Sequence, residues 1–108
     1  MYGTLSRLQP KVGQQQAVLD QLFRWEQEQL PNAHGYVRGY VFESASGPGS
    51  APMDILVIVV FDSQASYTRQ RDDPQQDRWE QHLQDLVEHA PQWHEGEFTE
   101  LFAQPRGL

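Results

Sequence analysis

The sequence contains no cysteine, which excludes disulfide bonds, thiolate catalysis and zinc sites with cysteine ligands. Basic side chains are scarce, with 8 Lys and Arg against 15 Asp and Glu, so the formal net charge is −7. A surface this negative repels phosphate backbones and anionic lipid, and we therefore expect neither a nucleic acid nor a membrane as a partner. Long apolar runs are also missing: the longest, Ile55–Phe61, has 7 residues, whereas a membrane helix needs about 20.

Leader and cofactor-binding motifs are missing as well. Residues 1–4 have no basic head and no apolar stretch, so we expect a cytoplasmic protein, which the lack of cysteine also suits. No glycine-rich phosphate loop is present, and residues 47–49 have only the composition of a turn. The 4 histidines do not have the spacing of metal ligands, since even His82 and His89 lie about two helical turns apart. We therefore expect no metal site.

What is present indicates a single α+β domain over residues 1–108, with its core at 2–103. Alternating or continuous apolar residues predict strands, and apolar residues at helical spacing predict helices. The predicted strands cover 2–8, 36–43, 53–62 and 97–102, and the predicted helices cover about 13–29, 64–71 and 74–90. A segment rich in Ser, Gly and Pro predicts a flexible loop at 44–52, and residues 104–108 form a tail.

The element order β-α-β-β-α-α-β fits a ferredoxin-like α+β sandwich. Helices cover only one face of such a sheet, while the second, third and fourth strands also carry large apolar groups for the other face. Leaving apolar surface in water costs roughly 25 cal/mol per Å². We therefore expect a second copy of the chain to cover the open face, which makes the protein a homodimer and the fold a dimeric α+β barrel.

Four segments resemble those of the antibiotic biosynthesis monooxygenase family, a branch of the dimeric α+β barrel superfamily. They are SRLQPKVG at residues 6–13, FDSQASY at 61–67, DPQQDRW at 73–79 and WHEGE at 93–97. Their order and spacing extend the resemblance over residues 2–102, and it implies a homodimer with a cavity between sheet and helices in each subunit. Some members of that family oxidise aromatic polyketides with oxygen and neither metal nor flavin, so the resemblance implies no cofactor.

A haem-degrading branch of the same superfamily uses an Asn on strand one, a Trp on helix two and a His on the next helix. The matching positions of this sequence hold Ser6 and Gln70, and the region of the His holds Trp79 and Glu80. Two of the three residues are missing and the third, His82, is shifted by a turn. Binding or degradation of haem is therefore the least favoured hypothesis.

His82 is the candidate catalytic residue. It is the only polar residue on the apolar stripe that runs from Trp79 to Ala90, and this position predicts that it points toward the sheet. A half-buried imidazole titrates near neutral pH and can accept or donate a proton. The alternative is a structural histidine, bonded to a backbone carbonyl or placed at the dimer seam.

Tyr36, Arg38 and Tyr40 are candidate substrate-binding residues on the second strand. Alternation predicts that they share one face of the strand, where two phenols and a guanidinium would stack on and orient a phenolate-like substrate. The alternative is that they line the dimer interface or the outer rim of the barrel.

Trp25, Trp79 and Tyr67 are the remaining candidates for the cavity wall. The two tryptophans lie on the inner stripes of their helices, where they serve either as core residues or as a wall on which a ligand stacks. Tyr67 lies one turn into the second helix, from which its side chain can reach the cavity.

Two hypotheses of function follow from these residues. The first is a cofactor-independent monooxygenase that acts on a small aromatic or quinol-type compound, with His82 as base or acid and the other candidates as positioning groups. The second is a non-enzymatic dimeric module for ligand binding or stress response, which uses the same cavity without turnover. The polar content of the cavity discriminates between them.

Overall fold

The computed structural model describes residues 1–44 and 54–101. Within them lie four strands, β1 (Tyr2–Leu8), β2 (Tyr36–Glu43), β3 (Ile55–Phe61) and β4 (Trp93–Glu97). Three α-helices, α1 (Gln15–Glu28), α2 (Gln64–Arg71) and α3 (Pro74–Gln84), and a 3-10 turn at Leu30–Asn32 complete the described part. The predicted element order is confirmed, while positions 45–52 of the predicted loop and the predicted tail lie outside the described residues.

The four strands form one antiparallel sheet in the order β2-β3-β1-β4. This arrangement confirms the ferredoxin-like α+β fold.

In the described part of the chain, no helix has both the length and the apolar composition to cross a membrane.

The helices pack on one face of the sheet and bury an apolar core there. Helix α1 contributes Val18, Leu19 and Leu22, each at most 7% exposed, because these residues recur at helical spacing. Strand β3 contributes every second residue, from Ile55 through Val57 and Val59 to Phe61, each at most 3% exposed. The intervening Leu56 and Ile58 belong to the opposite face and are half-buried.

The last strand is β4 at Trp93–Glu97, so the prediction of a strand over residues 97–102 is wrong. Strand β4 pairs with β1 in an antiparallel register that runs from Trp93 opposite Ser6 to Glu97 opposite Tyr2. Past Glu97, the amide of Phe98 still donates to the carbonyl of Met1 (2.8 Å). The ladder between β1 and β4 ends there, and residues 98–101 are not in a strand.

Helix α3 ends at Gln84, several residues before the predicted end at Ala90. The chain after it bonds instead to the segment that follows β1: the carbonyl of Leu86 accepts from Lys11 (2.9 Å), and Val87 forms a β-bridge with Pro10. Val87 is 2% exposed and remains a core residue. These tertiary hydrogen bonds replace the helical ones, which local sequence pattern does not reveal.

A β-bulge between Tyr36 and Arg38 changes the faces of strand β2. Before the bulge, Tyr36 pairs with Phe61 and shares its helix-covered face; after it, Arg38 pairs with Val60 and faces away from the helices. Tyr40 lies on the same face as Arg38. The prediction that Tyr36 shares a face with Arg38 and Tyr40 is therefore wrong, because the bulge adds one residue to the alternation.

The sheet face turned away from the helices carries exposed aromatic groups. Tyr40 is 54% exposed and Phe42 is 59% exposed. Arg38 on this face lies 3.8 Å from Glu100, an exposed pair that contributes little stability. The homodimer that would cover this face stays a prediction.

Candidate functional site

A cavity of about 230 Å³ lies between the sheet and the three helices, where the sequence predicts one. A cavity of about 150 Å³ already accommodates benzene, so this one has room for a single substituted ring. The sheet supplies five lining residues: Thr4, Val59, Phe61, Trp93 and Glu95. The helices supply the other six: Trp25, Tyr67, Gln70, Arg71, Gln76 and Glu80.

Helix α2 carries Tyr67 into this cavity. The helix begins where the Ser63 side chain accepts a hydrogen bond from the backbone amide of Ser66 (3.2 Å), and Tyr67 follows within the first turn. The Tyr67 ring is 7% exposed and packs against Tyr2 and Phe61, with ring centroids 5.5 and 5.8 Å away. The sequence had placed Tyr67 within reach of the cavity, and the structure puts it in the wall.

The phenol of Tyr67 is neutral at physiological pH. Burial raises its pKa to about 12, the Thr4 hydroxyl opposes the rise by hydrogen bonding, and the nearby Glu95 carboxylate adds to it. A phenol that stays protonated donates a hydrogen bond and does not act as a base. Tyr67 donates this proton to Glu95, and it can donate to an oxygen of a bound molecule by exchanging that partner.

Arg71 and Glu95 form an ion pair at the edge of the cavity. The Arg71 Nη1 atom lies 3.1 and 3.2 Å from the two carboxylate oxygens of Glu95. The guanidinium carbon also lies 5.9 Å from the centre of the Tyr67 ring, within range of a cation–π interaction. Both charged side chains are partly exposed, at 45% and 33%, so their role is to place charge at the site more than to stabilise the fold.

Three side-chain amide and indole groups form a buried hydrogen-bond network in the helical wall. The Oε1 atom of Gln76 accepts from Trp25 Nε1 (3.0 Å) and from Gln70 Nε2 (3.2 Å). Gln76 Nε2 in turn lies 3.4 Å from a carboxylate oxygen of Glu80. Gln70 and Gln76 are each 8% exposed, so the network fixes the wall and orients Glu80.

Sequence reasoning missed Gln76, Glu80 and Gln70 as site residues, since polar residues are normally assigned to the solvent face of a helix. The signal that points to them is their spacing with Trp79 and Leu83: positions 76, 79, 80 and 83 fall on one face of an α-helix. Gln76 and Leu83 are the buried residues of α3, which fixes this as the inner face.

His82 lies outside this inner face. One residue before Leu83, it is rotated by about 100° around the helix axis and its side chain is exposed. The prediction that it points toward the sheet is wrong, because the inward positions of Gln76 and Glu80 rotate the buried face away from it. The catalytic role assigned to His82 depended on the inward orientation.

The other predicted site residues are divided among different places. Trp25 lines the cavity and is 8% exposed, while Trp79 is half-buried beside a crevice of about 20 Å³ next to it. Tyr36 and Tyr40 both border a second cavity, although the strand register places the side chains of Tyr40 and Arg38 on the open sheet face. Of the predicted site residues, Trp25 and Tyr67 therefore lie together at the first cavity, and Trp25, Tyr36 and Tyr40 lie together at the second.

The described residues offer no fit for haem or a metal ion. They contain no group of three His, Cys, Asp or Glu side chains that could hold a metal. Ser6, at the position of the haem-degrading Asn, is fully buried and donates its hydroxyl to the carbonyl of Gln92 (2.8 Å). A cavity with room for one ring also does not accommodate a macrocycle.

The fold and the site define a ferredoxin-like α+β domain with a cavity of about 230 Å³ between the sheet and the helices. No family model matches the sequence, and no curated protein matches it. Solved structures do match the fold of this chain, and several of them are candidate antibiotic biosynthesis monooxygenases.

One such structure, from Nitrosomonas europaea, is 16% identical and has a TM-score of 0.70, covering 94% of this chain and 100% of its own. Another, from Deinococcus radiodurans, is 16% identical with a TM-score of 0.76, covering 97% and 99%. Rv0793 from Mycobacterium tuberculosis is 13% identical with a TM-score of 0.74, covering 94% and 98%. The chain has the fold of these proteins over nearly its whole length, which confirms the resemblance seen in the sequence.

Proposed function

We propose that this protein is a cofactor-independent monooxygenase that acts on a small aromatic or quinol-type compound. The observation that carries the proposal is the content of the cavity: aromatic and aliphatic walls with room for one ring, and a neutral phenol, a guanidinium and a carboxylate from Tyr67, Arg71 and Glu80. The fold shared with candidate monooxygenases supports the same conclusion.

The reaction needs a substrate whose anion reduces oxygen. A phenol or activated methylene loses a proton to a base, and the resulting anion transfers electrons to O₂ while a carbon–oxygen bond forms. Protonation gives a hydroperoxide; loss of the remaining C–H proton and of hydroxide then gives a carbonyl and water. The protein supplies a base, a charge partner for the anion and a pocket with mostly apolar walls.

We assign the base to Glu80 in place of His82. Glu80 lines the cavity and is oriented by Gln76, whereas Glu95, the other carboxylate of the lining, is paired with Arg71. Arg71 would stabilise the negative oxygen of the substrate, and Tyr67 would donate a hydrogen bond to it.

We also propose that two copies of the chain pack through their open sheet faces. The exposed rings of Tyr40 and Phe42 support this assembly, because burying them removes apolar surface from water. The Phe42→Asp variant should weaken the dimer by about 30-fold or more, the size expected for a well-buried interface residue. Analytical ultracentrifugation over a concentration series measures the dissociation constant.

Val12→Asp is the matched control for this experiment, since Val12 is 92% exposed but lies outside the sheet. It should leave the dissociation constant unchanged. A wild-type protein that sediments as a monomer at micromolar concentration, or equal effects of the two variants, would rule out the proposed interface.

A second candidate function is ligand binding without turnover. It is favoured by the polar groups that already satisfy one another: Arg71 with Glu95, and the Tyr67 hydroxyl with Thr4 and Glu95. Such a site holds a ring by its apolar walls and needs no reaction. Oxygen uptake with hydroquinones, measured above the rate of their spontaneous autoxidation, separates the two functions, because only the monooxygenase accelerates the consumption of O₂.

Tyr67→Phe tests the hydrogen bond that Tyr67 donates. We expect kcat/KM, or the affinity if no turnover occurs, to fall by about 5- to 10-fold, the worth of about 1 kcal/mol. Because the pKa of Tyr67 is raised to about 12, the ratio of wild type to variant should be the same at pH 6 and pH 9. Oxygen-electrode assays or ligand titrations at both pH values measure it.

Tyr2→Phe serves as the control, since the Tyr2 ring packs 5.5 Å from Tyr67 but does not line the cavity. Tyr2→Phe should change neither kcat/KM nor the affinity for the ligand. Wild-type kcat/KM or affinity in the Tyr67→Phe variant would contradict the role of Tyr67 as a neutral donor. A ratio of wild type to variant that falls toward 1 between pH 6 and pH 9 would contradict it as well.

A further inference from the structure

A second cavity, of about 320 Å³, lies on the other side of Trp25, between α1 and the strands β2 and β3. Trp25 and Val59 line both cavities, and otherwise the two linings differ. A volume of this size is in the range of small-molecule sites. The catalytic proposal above makes no use of this cavity.

The charged groups that line the second cavity are all of one sign. They are Glu26 of α1 and Glu43 of β2, and no Lys, Arg or His is among the described lining residues. The first cavity differs in this respect, because Arg71 lies beside Glu95 there. An anion entering the second cavity would meet repulsion alone, whereas a cation would be attracted.

Aromatic rings supply the rest of the recognition. Phe23, Trp25 and Tyr36 line the cavity, and the faces of such rings attract cations. The β-bulge directs Tyr36 to this side of the sheet. There its pKa is raised by burial and by the adjacent Glu26 carboxylate, which also accepts a hydrogen bond from the phenol, so Tyr36 stays neutral beside a negative group.

We propose that this second cavity binds a hydrophobic ammonium ion, an amine or quaternary ammonium that carries an apolar group. The apolar group would pack against the aliphatic and aromatic walls, with the cationic nitrogen over the ring faces and next to Glu26. Neither a neutral hydrocarbon nor an aromatic anion satisfies both features of the site.

The test compares three probes of similar size on the full chain: benzyltrimethylammonium, its uncharged isostere neopentylbenzene, and benzenesulfonate. Binding is followed by isothermal titration and by tryptophan fluorescence. We expect the cation to bind about 10-fold more tightly than the isostere, as a desolvated cation–π contact implies, and the anion to bind most weakly.

Two variants locate the site. Glu26→Gln should weaken binding of the cation by about 5-fold, whereas Glu28→Gln, which removes the same charge from the same helix outside the cavity, should not. Gly39→Val should abolish binding, since even a Cβ at Gly39 would lie 3.1 Å from the Tyr36 hydroxyl and the larger side chain enters the cavity.

The Tyr67→Phe variant changes only the first cavity and should bind the cation as wild type does. Equal affinities for cation and isostere, equal losses in Glu26→Gln and Glu28→Gln, or no binding of any probe, as when a second copy of the chain covers the cavity, would overturn the proposal.

Discussion

Replacing Glu80 by glutamine is expected to lower kcat by about 10²- to 10⁴-fold, the usual contribution of a general base. Glutamine keeps the size of the side chain and can still accept the hydrogen bond from Gln76, so the wall of the cavity should keep its shape. Because the change removes only the ability to take a proton, KM should stay within about 3-fold of wild type. Oxygen uptake with a substituted hydroquinone gives both constants.

Glu88→Gln is the control for Glu80→Gln, because Glu88 follows α3 and its side chain is exposed and away from the cavity. His82→Ala is a further control: the exposed imidazole should be dispensable, with kcat within about 2-fold of wild type. Full activity of Glu80→Gln would exclude Glu80 as the base, and loss of activity in His82→Ala would contradict the expectation that His82 is dispensable.

Trp25→Ala is expected to lower the free energy of unfolding by about 3–5 kcal/mol, a large part of the stability of a domain of this size. The side chain is 8% exposed, separates the two cavities and donates to Gln76. Removal of the Trp25 side chain leaves a void that the sheet cannot close. This void joins the two cavities. Urea unfolding followed by circular dichroism measures the change.

Phe23→Ala provides the comparison on the same helix, since Phe23 is 50% exposed and should cost no more than about 1 kcal/mol. The joined cavities give Trp25→Ala a second readout: it should bind two-ring aromatic compounds that the wild type excludes. Equal losses of stability in the two variants would show that Trp25 is not the structural partition between the cavities.

The two predictions separate chemistry from architecture. The proposed role of Glu80 is to take a proton, so Glu80→Gln should leave the stability unchanged. Trp25 fills volume, so Trp25→Ala should change both the stability and the size of the ligand that fits. A defect in Trp25→Ala alone would indicate a binding cavity without catalysis. A defect in Glu80→Gln alone, at unchanged stability, would indicate turnover.

Similarity of fold supports the architecture of this protein, whereas the assignment of site residues needs separate support. Structures at 10–20% identity establish the ferredoxin-like architecture. They do not establish which side chains act, because one fold hosts many activities. The assignment of Glu80, Arg71 and Tyr67 depends on the contents of this cavity instead.

Hydrophobic periodicity was sufficient to determine the element order and most element boundaries. The apolar positions of α1 and the continuous run of β3 specify what must be buried, so the α+β fold follows from sequence alone. Tyr67 and Trp25 were also within reach of this reasoning, because a large aromatic residue on an inner stripe ends in a core or in the wall of a cavity.

Tertiary structure decided the features that depend on partners distant in sequence. The bulge at Tyr36 follows from pairing with β3, and the position of β4 follows from pairing with β1. The end of α3 follows from hydrogen bonds to the segment after β1. The inward positions of Gln76 and Glu80 are of the same kind. A polar side chain is buried where Trp25 and Gln70 satisfy it, and hydrogen-bond partners brought together by folding are not encoded in local periodicity.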